Sequence, residues 1–289
     1  MAIPYQHRPV MAGEVVEYLN PAPGKVFVDA TLGGGGHAEK LKSKNSKIRI
    51  YGFDQDAEAI AAAKARLAEY QNIAYIHDNF ANIKEHVKEK VNGILFDLGV
   101  SSFQIDEASR GFSLQKDGPL DMRMDRGQKL TAADIVNNYT ADELTRIFTE
   151  YGEERFAKRI SNAICEMRNA KMIETTFQLK EIIEKAIPTW KKRESVTRIF
   201  QALRIAVNHE LDSLQRAIGD AIELLKPGGR LVVISYHSLE DRIVKQRFRD
   251  GAKNGRLKLL TKKPRLAAEA ELAENPRARG AKLRAAEKI

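Results

Sequence analysis

Lys25-Val-Phe-Val-Asp29-Ala-Thr-Leu-Gly-Gly-Gly-Gly36-His37 is the stretch that decides the fold class. A short run of β-forming residues closes on an aspartate, four glycines follow, and a helical pattern begins. A buried strand, a glycine turn and a helix in that order open a βαβ unit. Further along, 48–54, 72–77 and 92–97 read as three more strands. Residues 57–69 are rich in alanine and lack Gly and Pro, which predicts a helix. Strands alternating with helical stretches predict a parallel sheet.

The pattern changes near Ser101. Residues 101–111 are loop-like, and 115–127 are dense in charge with little periodicity. Helices are then expected over 132–139 and 141–151, with Thr131 and Thr140 as N-caps, and over 154–167 and 177–187. A single long helix is expected over 197–225, where Ile199, Leu203, Val207, Leu211, Leu214, Ile218, Ile222 and Leu225 step by three or four. Lys226-Pro-Gly-Gly229 carries the chemistry to stop it. A fifth buried strand follows at 230–236, then a helix at 239–248, with weaker strand patterns at 257–260 and 282–285. The α/β pattern thus resumes after a helical block. The expected architecture is α/β: a Rossmann-like domain from 1–104 and 205–289, interrupted by an all-helical insertion at 105–204.

Composition narrows the function classes. The 289 residues are 43% hydrophobic and 30% charged, which suits a soluble globular protein. No run approaches the ~18 apolar residues of a membrane span, and the N-terminus lacks the apolar run of a signal peptide. A cytoplasmic protein without membrane association is the expectation. The single cysteine, Cys165, excludes an intrachain disulfide and a cysteine-cluster metal site. No His/carboxylate spacing demands a metal either, so none is assigned. The net charge is +9, and the stretch from Arg242 to Ile289 alone holds 15 Lys/Arg against 5 Asp/Glu. Such a segment suits a phosphate backbone; a solvated tail is the plainer alternative.

The glycine turn lets backbone approach a ligand closely. Gly33, Gly35 and Ala38 fit a loose dinucleotide pattern. Asp54 closes the second strand 19 residues beyond Gly35, where a carboxylate accepts from a ribose diol. Both NAD and S-adenosylmethionine carry that ribose. Asp29 favours the second, because a carboxylate at the end of strand one meets an ammonium well and a pyrophosphate badly. Asp54 has an alternative reading as a helix N-cap, which Asp56 could fill instead. Asp97 ends strand four at the edge where such sheets bind ligands. There it can accept hydrogen bonds from an exocyclic amine and orient its lone pair, or simply cap the next turn. Phe80 is placed to stack on a purine or to fill the core. Tyr236 and His237 follow strand five and reach the same edge, where they can stack on or hydrogen-bond a flipped base.

With these residues in place, the chain resembles the bacterial 16S rRNA (cytosine-N4)-methyltransferases. The resemblance is carried by Gly34-Gly-Gly-His37, Asp97-Leu-Gly-Val-Ser-Ser102, Arg110-Gly-Phe-Ser113, Asp117-Gly-Pro-Leu-Asp-Met-Arg-Met-Asp125, Tyr151-Gly-Glu-Glu-Arg-Phe-Ala-Lys-Arg159, His237-Ser-Leu-Glu-Asp-Arg242 and Asn275-Pro-Arg-Ala-Arg279. It implies a class I methyltransferase sheet with a helical insertion, S-adenosylmethionine as methyl donor, and N4 of a decoding-site cytosine in the small ribosomal subunit as target. It implies cofactor contacts at Gly35, Gly36, His37, Asp54, Phe80, Asp97 and Gln104, and leaves Gly34, a variable position of the pattern, unassigned. Asp97, Tyr236 and His237 are the candidate catalytic residues. Two departures stand out: Phe103 precedes Gln104 where relatives often have proline, and Tyr236 stands where phenylalanine is usual. The Asp/Asn-Pro-Pro-aromatic motif of many amino-methyltransferases is absent after strand four. Lys191, Lys192, Arg193 and Arg198 form a basic cluster within the insertion. Two rival classes are an NAD-dependent oxidoreductase with a helical substrate domain and a non-catalytic rRNA-binding protein. The oligomeric state is not legible in the sequence.

Overall fold

Alternating strands and helices build the first half of a sheet in the computed structural model, which describes residues 9–289. α1 (Ala12–Leu19) leads into β1 (Val26–Asp29), α2 (Gly36–Lys44), β2 (Arg49–Asp54), α3 (Ala57–Arg66), β3 (Ile73–His77), α4 (Ile83–His86) and β4 (Val91–Asp97). Six helices follow: α5 (Ser102–Asp106), α6 (Ala132–Asn138), α7 (Ala141–Glu150), α8 (Ala157–Ala170), α9 (Thr176–Ala186) and α10 (Lys192–Asn208). The chain then returns through α11 (Glu210–Leu224), β5 (Leu225–Ser235), α12 (Ser238–Lys253), β6 (Leu257–Leu259), β7 (Arg265–Leu266), α13 (Glu269–Glu274) and β8 (Lys282–Lys288). Two compact units result, one from 9–99 with 211–289 and one from 100–210.

In the first unit the strand order is β3-β2-β1-β4-β5-β8-β6, with β7 paired to β8. Strands β1 to β5 run parallel, and β8 runs antiparallel to β5, β6 and β7. Side chains alternate between two buried faces. Val26, Val28, Ile94 and Phe96 join one core, while Phe27, Ile50, Leu95 and Val232 join the other. Strand order reverses between β1 and β4, which makes their carboxyl ends the binding crevice of an open α/β sheet. Asp29, Asp54 and Asp97 each occupy the last position of a strand at this edge.

The second unit buries its own core, including Leu144, Phe148, Ile160, Leu179, Ile199 and Leu203. Thr131 and Thr140 cap α6 and α7 as expected, each in a capping box, with Asp134 and Glu143.

Several elements differ from the sequence expectation, among them α5, a capped helix within 101–111 where the sequence reads as loop. The long helix is two helices, broken at His209, which sits in the left-handed region at φ 50°. Its apolar stripe runs through the break because Leu203 and Val207 feed the helical core while Leu214 and Ile218 feed the sheet core. The Lys226-Pro-Gly-Gly229 turn lies inside the span of β5. Pairing with β4 jumps from Val91–Leu225 to Gly93–Arg230, so four residues bulge out, with Gly228 at φ 73°. Finally, the basic C-terminal segment is no tail. It supplies α12 and the last three strands, and β8 is wedged between β5 and β6.

Candidate active site at the strand carboxyl ends

The glycine turn is fixed at three points. Leu32 N donates to Phe53 O (2.7 Å), Gly35 N to Leu32 O (2.8 Å) and Gly33 N to Asp54 Oδ2 (2.8 Å). Gly35 is the N-cap of α2 at φ 80°, and a Cβ there would lie 2.9 Å from Leu67 Cδ1. Gly36 packs on Pro9, whereas a side chain at Gly34 would meet only Arg66 Nη1, at 3.9 Å. Three of the four glycines are thus demanded by conformation or space, and Gly34 is not. The other carboxylate oxygen of Asp54 accepts from Asp56 N at 2.9 Å. The N-cap of α3 is Asp56, which settles the alternative reading of Asp54.

Asp29 is buried. Its Oδ1 accepts weakly from Thr31 N (3.3 Å), and its Oδ2 has no partner among the described residues. Burial pushes its pKa up to about 6, against the pull of nearby His37, with Asp97 and Asp54 adding repulsion. Asp54 is pushed to about 6 as well, by burial that outweighs its two backbone donors.

Asp97 is the hub of the edge. Its backbone N donates to Thr31 Oγ1 (2.6 Å), its Oδ1 accepts from the Tyr236 hydroxyl (2.8 Å), and its Oδ2 lies 3.2 Å from His37 Nε2. Burial opposes charge on His37, but the hydrogen bond and the charge of Asp97 prevail and raise its pKa. Burial and Asp97 hold the Tyr236 hydroxyl well above its ordinary pKa, so it stays a donor. Gly99, at φ 96°, lets the chain turn under the Tyr236 ring, 3.4 Å from where a Cβ would be. The structure therefore gathers Asp97, Tyr236 and His37 into one hydrogen-bonded group, beside the Gly35–Gly36 turn.

The other candidates are placed separately. Phe80 is half-buried and meets Phe96 edge-on, with ring centroids 5.5 Å apart. His237 is the N-cap of α12, where its Nε2 sits 3.2 Å from Glu240 Oε1 and its Nδ1 has no partner among the described residues. It makes no hydrogen bond to Asp97. Gln104 belongs to the helical unit, where its Oε1 accepts from Ser101 N (3.0 Å) and closes a capping box. Thr31 and Glu240 escaped sequence reasoning. Neither residue type signals a strand-edge anchor until the sheet is assembled.

The donor set discriminates between ligands. Asp29 Oδ2 is an unpaired buried acceptor, and His37 Nδ1 is likewise buried without a partner among the described residues. One buried carboxylate oxygen and one ring nitrogen left unmatched suit an amino-acid head with an ammonium and a carboxylate. Three carboxylates at the crevice favour a cationic ligand and disfavour a pyrophosphate. The residues present therefore fit S-adenosylmethionine. A profile of the MraW methylase family matches residues 4–289. The chain belongs to that family. Among its relatives, a protein of Halothermothrix orenii is 48% identical over 307 residues, covering 98% of this chain and 99% of its own. A Carboxydothermus hydrogenoformans relative is 48% identical (99% and 98%), and one from Clostridioides difficile 47% identical (99% and 99%). All three carry the name ribosomal RNA small subunit methyltransferase H. A solved structure, a putative rRNA-methylase from Clostridium thermocellum, aligns at 14% identity with a TM-score of 0.49, covering 98% of each chain. This MraW-family chain is an S-adenosylmethionine-dependent methyltransferase. An oxidoreductase and a non-catalytic RNA-binding module are thereby set aside.

Proposed function

We propose that this methylase transfers a methyl group to N4 of a decoding-site cytosine in 16S rRNA, acting on the small ribosomal subunit in the cytoplasm. The names of the relatives and the chemistry of the sheet edge support this substrate. Among the described residues no helix is long and apolar enough to cross a membrane. The observation that carries the reading is Asp97, held on both oxygens at the crevice by Tyr236 and His37.

S-adenosylmethionine supplies an electrophilic methyl on a sulfonium. The Gly35-Gly36-His37 turn would admit it, Asp54 would take the ribose diol, Asp29 would pair with the ammonium and Phe80 would lie against the adenine. A cytosine amine is a poor nucleophile because its lone pair is delocalised into the ring. Asp97 accepts one amine N–H and so fixes the direction in which the nitrogen lone pair points. Tyr236 and His37 fix the carboxylate so that this orientation costs no reorganisation. Asp97, at the end of β4, is the carboxylate available to take the proton that the amine gives up. Tyr236 keeps its ring as an aromatic face for the base, and His237 flanks it. The helical insertion and the basic C-terminal elements hold the rRNA while the base is flipped, at a few kcal/mol that protein contacts must supply.

Labelled S-adenosylmethionine, small subunits lacking the modification and nucleoside analysis of the rRNA test this directly. N4-methylcytidine at one site, lost in Asp97→Ala, is the expected result. A methyl on another atom overturns the target assignment, and cofactor binding without transfer overturns the substrate.

A further inference from the structure

On the footing that the substrate is ribosomal RNA, we propose that Trp190 and the cations around it form a docking surface for an unpaired segment of that RNA, with the indole stacking on a nucleobase. Trp190 is the only tryptophan of the chain and is 77% exposed. Large exposed aromatic side chains are what a soluble surface ordinarily avoids. It lies in a one-turn 3-10 helix, Thr189–Lys191, that runs straight into α10, and Lys191 Nζ sits 5.0 Å from its ring centroid.

The charges around it are arranged against local stability. Lys192 and Arg193 occupy the first turn of α10, where the helix dipole disfavours cations. Neither has an acidic partner among the described residues. Glu194, the one acid of that turn, is already shared: its Oε2 lies 2.6 Å from Lys191 Nζ, its Oε1 2.5 Å from Arg198 Nη2, and Arg155 adds a third positive field. The stretch from Thr189 to Arg198 thus holds four cations against one carboxylate. A helix-stabilising surface would place the acids here and the bases at the other end. Positive charge concentrated beside a flat aromatic ring matches the two chemistries of single-stranded RNA, phosphate and unstacked base.

Because Trp190 is the sole tryptophan, its fluorescence reports on this surface alone. The experiment titrates the full-length protein with oligouridylate, and with polyglutamate as a non-nucleic polyanion. Quenching by oligouridylate that weakens with salt, and is reduced in Lys192→Ala/Arg193→Ala, is the expected result. In methyl transfer to small subunits, Trp190→Ala raises KM on the order of tenfold while kcat is held, and Trp190→Phe recovers part of the loss. Wild-type transfer with no quenching by RNA and an unchanged KM in Trp190→Ala overturns the docking surface and leaves the substrate reading intact. Quenching by polyglutamate but not by oligouridylate overturns it in favour of an acidic protein partner. Absence of wild-type transfer, by contrast, sinks the substrate reading, and the oligouridylate quench then decides the surface by itself.

Discussion

Asp97 takes one hydrogen bond on each carboxylate oxygen, from Tyr236 and from His37. An amide in its place would set an NH2 group against one of these donors. Asp97→Asn is therefore predicted to lower methyl transfer on the order of a hundredfold or more. Tyr236→Phe should lose less than about tenfold, since His37 still anchors Oδ2 and the aromatic face survives. Equal losses in the two variants would show that the carboxylate is not the group that matters. The second residue-scale prediction concerns protons. Asp29 and Asp54 have pKa values raised to about 6, chiefly by burial. In the free protein such groups favour folding when protonated, so their contribution is lost as pH rises from the ordinary carboxylate range through about 6. Binding of a cationic ligand has the opposite preference, because it needs the charged form. Affinity for S-adenosylmethionine is expected to weaken as pH falls below about 6. Binding near pH 6 should release protons, and binding near pH 8 should release none from these groups. Calorimetry in two buffers of different ionisation enthalpy measures this, and a pH-independent proton count would remove Asp29 and Asp54 from the ligand's reach. Asp29, Asp54 and Asp97 were legible in the sequence because each ends a strand. The bond from Tyr236 to Asp97 was not, since it joins the end of β4 to the residue just past β5, two strands whose pairing no local pattern reveals.

At the scale of elements, the turn between β1 and α2 offers a paired test. Gly35→Ala meets both a positive φ of 80° and Leu67 Cδ1 at 2.9 Å. It should cost about 1–3 kcal/mol of stability and impair cofactor binding. Gly34→Ala has neither obstacle and should stay within about 0.5 kcal/mol of the wild type. Thermal melts with and without S-adenosylmethionine distinguish them, and similar behaviour of the two variants would mean the turn is not held as described. The glycine run itself was plain in the sequence, but which glycines carry the demand was not, because that depends on Leu67 and Pro9 from elsewhere in the chain. The break at His209 illustrates the same limit. Hydrophobic period reports that a face is buried and is silent about which core buries it. Asn208 helps to define the break: its side chain accepts from Met124 N and donates to Met122 O, both at 2.8 Å, contacts that no i, i+4 pattern foretells.

Over the whole molecule, charge and topology are tied together. The stretch from Arg242 to Ile289 carries 15 of the 48 Lys/Arg, and the fold spends it on α12 and three strands. Some of these cations are structural, as with Arg284, whose Nε donates to Asp241 at 2.7 Å. Others are not. Lys245 and Arg249 lie four apart on one exposed face of α12, without an acidic partner among the described residues. Composition showed the excess, but only the packed strands separate cations that brace the sheet from those left to meet a partner. If α12 grips rRNA phosphates, log affinity for small subunits should fall linearly with log salt, at about 0.7–0.9 per phosphate neutralised. Lys245→Glu/Arg249→Glu is then predicted to raise KM at low salt and flatten the slope by about one to two units, with the fold and cofactor affinity unchanged. The cofactor measurement guards against a trivial outcome, because a misfolded variant would lose S-adenosylmethionine as well. A slope that stays the same in the double variant would assign the counterion release to the helical insertion and leave the charge of α12 a matter of solubility.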